Sequence, residues 1–203
     1  MAKVKMSKKA TAVDMTAMCD VAFLLLTFFI LTATAKQPEI VPVETPASTV
    51  QVKLPDTDLA IITIAGSGKV FFGVKAADVR IKTLEKIGEE FNLSFTDDEK
   101  KRFSLMEEFG VPVNQLNGLI KLSSSDRNKE GIQTGIPHDS VNDQLSSWIK
   151  AARYANQEVN NVQLNFAIKG DAKEQYPEIK KIIDILQDQK VNKFNLVTGL
   201  RGE

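Results

Sequence analysis

The longest feature in the polarity pattern is an apolar run. Residues 15 to 35 read MTAMCDVAFLLLTFFILTATA, with one carboxylate, Asp20, and no cation. As a helix this run spans about 32 Å, enough to cross a bilayer core. Ala33-Thr34-Ala35 would serve as a signal-peptide cleavage site, so a cleaved export signal is the competing reading. The run exceeds the roughly 7–15 residues of a signal h-region, and a carboxylate inside would weaken one. The expectation is an uncleaved membrane helix over 15–35, preceded by a tail at 1–14.

The pattern then changes. Residues 36–49, KQPEIVPVETPAST, hold three prolines and no helical period, which predicts an extended, semi-stiff tether. Residues 50–54, VQVKL, alternate like a half-buried or edge strand. Leu59 to Ile64 is β-branched, Gly66-Ser67-Gly68 is a turn and Val70-Phe71-Phe72 starts a return strand, together predicting a hairpin. Ile81, Leu84, Ile87 and Phe91 fall at helical spacing. Thr96 to Glu99 opens a second helix as a capping box, with Phe103, Met106 and Phe109 on its apolar face. Pro112 interrupts, 114–122 predicts a third helix, and 123–135 reads as an exposed loop.

The closing part is a compact unit. Val141, Leu145, Trp148, Ala152 and Ala155 mark a helix behind Asp139 or Ser140 as cap. Val162 to Ile168 alternates as a strand. Pro177 is placed to open a helix carrying Ile179, Ile182, Ile183 and Leu186, and Phe194 to Val197 follows as a strand. Strand, helix, strand with a short return is a crossover between parallel strands. The fold class expected is a single transmembrane helix followed by an α+β domain over 50–203. That domain is a small mixed sheet with helices on one face, carrying a helical insertion at about 76–135.

Charge adds orientation. The 26 basic and 26 acidic side chains of the 203 residues cancel. Yet Lys3, Lys5, Lys8 and Lys9 face only Asp14 before the apolar run, a local net of +3. Residues 36–203 hold the other 22 basic and 24 acidic groups, a net of −2. The positive-inside rule places the N-terminus in the cytoplasm and the C-terminal domain across the membrane. A zero total gives no support for nucleic-acid binding. One Cys and one His exclude an internal disulfide and make a metal centre unexpected.

Asp20 is the candidate chemical group. An Asp deep in a membrane helix costs roughly 2.5–3.5 kcal/mol, and desolvation favours its neutral form. A carboxyl that is neutral in lipid and charged in a wet cavity can carry protons; a merely structural aspartate near the interface is the alternative. Thr27 and Thr34 follow Asp20 at sevens, and Thr16 precedes it by four. These four positions form one stripe, suited to another protein surface or a water path rather than lipid.

The segment Val13-Asp14-Met15-Thr16-Ala17-Met18-Cys19-Asp20-Val21-Ala22-Phe23-Leu24-Leu25-Leu26-Thr27-Phe28-Phe29 resembles the signature helix of the ExbD/TolR family. Cys19 is a mild departure, at a position often apolar in the family. The resemblance implies that Asp20 is the proton-responsive group. It also implies that the helix works as a dimer inside a pore made by an ExbB-like or TolQ-like polytopic partner in the bacterial inner membrane. Proton flow then drives motion that a periplasmic coupling protein, such as a TonB-like one, receives. The stretch from Asn165 to Thr198 is similar to the closing part of the family's periplasmic domain. The resemblance is read over 1–75 and 138–203 and not over the insertion.

The function expected is a proton-motive-force-driven transport subunit. The alternatives are a TolR-like subunit of a Tol-Pal envelope system and an anchored module that grips cell wall or a partner without transmitting energy. No enzymatic activity and no cofactor are expected, since one His and one Cys cannot build a nucleophile–base pair with its orienting group. Gly66-Ser67-Gly68-Lys69 lacks phosphate-loop spacing. His138 is expected as a solvated loop residue, Trp148 and Tyr154 as core and rim, and Asp171 and Glu174 as helix-entry caps. The insertion is expected to be a packed lobe without separate chemistry, a docking surface being the other reading.

Overall fold

A computed structural model describes residues 15–33, 47–48, 55, 57–129, 131–139, 142–170, 176–197 and 199–200. The chain divides into two compact units, Met1–Pro38 and Glu39–Glu203. The first contains helix α1, Met15–Thr32, whose 18 residues rise about 27 Å. It buries no side chain: Leu31 is 86% exposed and Phe23 67%. Among the described residues this is the one helix long and apolar enough to cross a membrane. It closes at Thr32, with the Ala33 N–H still donating to the Phe29 carbonyl at 2.9 Å.

In the second unit β2, Leu59–Ala65, and β3, Lys69–Val74, form the expected hairpin, with Ala60 opposite Val74 and Ala65 opposite Lys69. Gly66–Gly68 makes one 3-10 turn, and Gly68 takes φ +71°, which a residue without Cβ adopts freely. The sheet order is β3-β2-β6-β7, with β6 at Asn165–Gly170 and β7 at Phe194–Val197. Both β2–β6 and β6–β7 are parallel, and helix α7, Tyr176–Asp188, makes the crossover between the last two. The predicted strand at 50–54 lies outside the described residues. Ala47–Ser48 (β1), expected within the tether, instead pairs in parallel with Gly199–Leu200 (β8).

Alternate residues of the sheet point into one core. Ala60, Ile62, Ile64, Val70, Phe72, Val74, Phe166 and Ile168 join Val79, Leu84 and Ile87 of α2 (Ala77–Phe91) and Leu145, Trp148 and Ile149 of α6 (Gln144–Asn160). Ile182 and Leu186 of α7 complete it. This is the expected arrangement of helices against one face of a mixed sheet. Helices α2 and α6 each end on an Asn in the left-handed region, Asn92 and Asn161, a conformation Asn tolerates better than most residues. The cap of α6 differs from expectation. It is Asp143, whose carboxylate accepts from the Ser146 N–H at 3.0 Å, while His138–Asp139 (β4) and Asn142–Asp143 (β5) form a short antiparallel pair before it.

The insertion departs most from its pattern. The capping box at Thr96 is complete: its hydroxyl accepts from the Glu99 N–H, and Glu99 accepts from the Thr96 N–H at 2.9 Å. However, α3 ends at Ser104 (Asp97–Ser104), so Met106 and Phe109 are not on it. Phe109 forms an antiparallel bridge with Phe72 on the outer edge of β3, exchanging backbone hydrogen bonds of 2.8 and 3.0 Å. The Ile136 N–H donates to the Val70 carbonyl farther along that edge. Satisfying an otherwise open strand edge outweighs continued helix, and the edge is thereby protected. Leu116–Lys121 (α4) is the expected third helix, led in by a turn at Val113–Gln115.

The stretch 123–135 is not a simple exposed loop. Ser124–Arg127 forms a short helix (α5), and buried Gln133 accepts from the Gly110 N–H at 2.7 Å. The lobe shares the sheet's core: Phe109 and Trp148 ring centres lie 4.5 Å apart, Phe103 and Phe109 5.2 Å.

Candidate functional site

Asp20 lies five residues after the first residue of α1, about 7.5 Å along its axis. It is exposed on a helix whose described residues contain no other charged group. On a 100° helical wheel Thr16 and Thr27 fall within about 40° of Asp20, so the described part of the stripe is narrow. It runs about 16 Å from Thr16 to Thr27. Thr27 is half-buried and donates through its hydroxyl to the Leu24 carbonyl at 2.9 Å; Thr32 does the same to Phe28 at 2.7 Å. A threonine that returns its proton to its own helix costs little in lipid and keeps oxygen lone pairs for a partner or water. Thr34, the fourth stripe position, lies outside the described residues, as do Asp171 and Glu174.

The chain matches, over residues 6–200, the family model described as ExbD: Biopolymer transport protein ExbD/TolR. It belongs to the ExbD/TolR family. No curated protein and no solved structure matches the chain significantly. The matched range includes 76–135, so membership is not confined to the two flanking parts that carried the resemblance. ExbD/TolR proteins are non-enzymatic transport and energy-transduction subunits that work with ExbB/TolQ-type partners. The apolar helix and the family together fit a single-pass membrane protein.

The other candidates sort by position. Trp148 is fully buried and Tyr154 is 60% exposed, as core and rim. His138 is not a solvated loop residue. Its ring is largely covered, with Nε2 3.7 Å from the Glu178 carboxylate and Nδ1 3.2 Å from the Ile136 carbonyl. Glu178 is held below the usual carboxylate range chiefly by the Lys181 ammonium, with His138 contributing. No cluster of three metal-ligating side chains occurs among the described residues. One feature had no local signal. Lys150, Arg153, Lys190 and Lys193, up to forty-three positions apart in the chain, line a single groove of about 550 Å³.

Proposed function

We propose that this ExbD/TolR protein is the moving subunit of an inner-membrane motor driven by the proton-motive force, with Asp20 as its proton-responsive group. The observation that carries the reading is a lone carboxylate exposed on an otherwise apolar, membrane-length helix. Two copies of α1 sit in a channel formed by an ExbB-like or TolQ-like partner, where the face of Thr16, Asp20, Thr27 and Thr34 meets water and protein instead of lipid. Protonation removes the charge and lets that face pass through apolar surroundings; deprotonation locks it at a wet position. The membrane potential supplies about 2.3 kcal/mol per charge per 100 mV, comparable with the cost of holding an aspartate in lipid.

The lysine-rich N-terminus supports a cytoplasmic tail of 1–14 and a periplasmic domain over 50–203, and the prolines support a tether between them that stops short of the strand Ala47–Ser48. The work passes through that domain to a TonB-like protein that energises outer-membrane transport. An Asp20→Asn variant tests the proposal. It is expected to insert and assemble like the parent while energised uptake falls by at least a hundredfold. Parental uptake in that variant would overturn the proton role and leave an anchored binding module as the reading.

A further inference from the structure

The groove noted above lies between the exposed stripe of α6 and the turn that joins α7 to β7. Its helical wall is Lys150, Arg153, Tyr154 and Gln157, spaced to share one face over about 10 Å. Its opposite wall is the turn from Lys190 to Lys193, and Leu164 closes the floor, 8% exposed. Four cations line it and no carboxylate does. Among the described residues none of Lys150, Arg153, Lys190 and Lys193 forms an ion pair, whereas Lys82, Lys86, Lys100, Lys121, Lys129 and Lys181 each have a carboxylate.

The walls are built. The Arg153 guanidinium donates to the Gln189 carbonyl at 2.8 Å, and the Gln189 amide donates to Ser146 of α6, which fixes the α7–β7 turn against the helix. Lys190 itself holds φ +62°, a left-handed position where glycine is the ordinary occupant. A lysine there accepts backbone strain and places one more cation on the groove wall.

We propose that this groove docks an acidic, extended segment of a partner protein. Charge complementarity supplies the sign, because like-signed unpaired cations around a concave surface attract carboxylates and repel bases. The size and the remaining groups argue for a peptide. The cations stand on both walls, among the carboxamides of Gln157, Gln163 and Asn192. Carboxamides both donate to and accept from peptide groups, while an exposed Tyr154 ring offers a flat surface for an aliphatic or aromatic side chain. At about 550 Å³ the groove is in the range of ligand clefts and suits a few residues of chain.

The test uses the full chain in zwitterionic detergent and a fluorescein-labelled decapeptide of alternating Glu and Ser. Saturable binding is expected, weakening at least tenfold between 0.1 and 1 M salt as the screening length falls from about 10 to about 3 Å. The Gln/Ser counterpart is expected not to bind. Lys190→Gly, which the backbone geometry accommodates, and Lys150→Glu together are expected to weaken binding at least tenfold. Lys101→Glu, on exposed α3 surface, serves as control and is expected to leave it unchanged. Emission of the single, buried Trp148 reports that each variant is folded.

Equal binding of the Gln/Ser peptide, or indifference to the two substitutions in folded protein, overturns the proposal. Preferential saturation by inorganic phosphate, by phosphatidylglycerol vesicles or by a peptide of residues 36–49 would assign the groove to another occupant and overturn it too. The readout is binding without a membrane potential, so Asp20→Asn is expected to bind normally, and failure here is separable from failure of the motor reading.

Discussion

Glu85 on α2 stands between two ammonium groups, Lys100 at 2.8 Å and Lys82 at 3.0 Å. Hydrogen bonds from Lys100 and then Lys82 hold its carboxyl below the ordinary 4.5, against a smaller desolvation effect. A depressed folded-state value stabilises the protein where the unfolded carboxylate is already ionised and loses that contribution as pH falls through the folded value. Glu85→Gln is therefore expected to be less stable than the parent at pH 7, by roughly 1 kcal/mol or less. The gap should begin to narrow as pH falls to the ordinary titration of Glu, about 4.3, and close only below the depressed folded value. Melting curves in detergent from pH 7 to 3.5 check this, and a gap independent of pH would contradict it. Asp20 and Glu85 differ in legibility for a physical reason. A carboxylate inside an apolar run stands out locally, whereas the salt bridge of Glu85 to Lys100 joins two helices. The environment of His138 has no local signal for the same reason, its partner Glu178 lying forty residues on.

At the scale of elements, the strongest local signals gave the elements that formed. The hairpin at 59–74, the Thr96 capping box and the helix opened at Pro177 each depend on neighbours within a few residues. Phe103, Met106 and Phe109 show where that logic stops. Their spacing permits one helix, but Phe109 gains two backbone hydrogen bonds with Phe72 and a ring contact with Trp148 by leaving it. The segment that follows α3 then lies so close to β3 that a Cβ on Gly73 would run into the Glu107 carbonyl, and one on Gly110 into the Phe71 ring. Gly73→Ala is expected to destabilise the domain by about 1–3 kcal/mol, since the obstructing atom is backbone and cannot swing aside. Denaturant titration followed by Trp148 emission measures it. An unchanged midpoint would mean that the lobe is not held against this strand as described.

For the whole molecule, the aromatic contacts of Phe72, Phe103, Phe109 and Trp148 make the inserted lobe and the sheet one core. The second unit is accordingly expected to unfold in a single transition. Trp148 emission and hydrogen-exchange protection of β2 amides should be lost at the same denaturant concentration. An earlier loss of Trp148 burial alone would mark the lobe as a separate folding unit. By itself the amino-acid sequence determined the membrane-length helix, its lone carboxylate, the hairpin and the closing strand–helix–strand, because each is encoded by period, charge or turn chemistry over short range. Only the tertiary structure decided that Phe109 guards a strand edge, that 76–135 completes the core, and that Lys150, Arg153, Lys190 and Lys193 share one groove. Those outcomes depend on competition between local propensity and contacts many residues apart, and the balance is struck only when the chain packs.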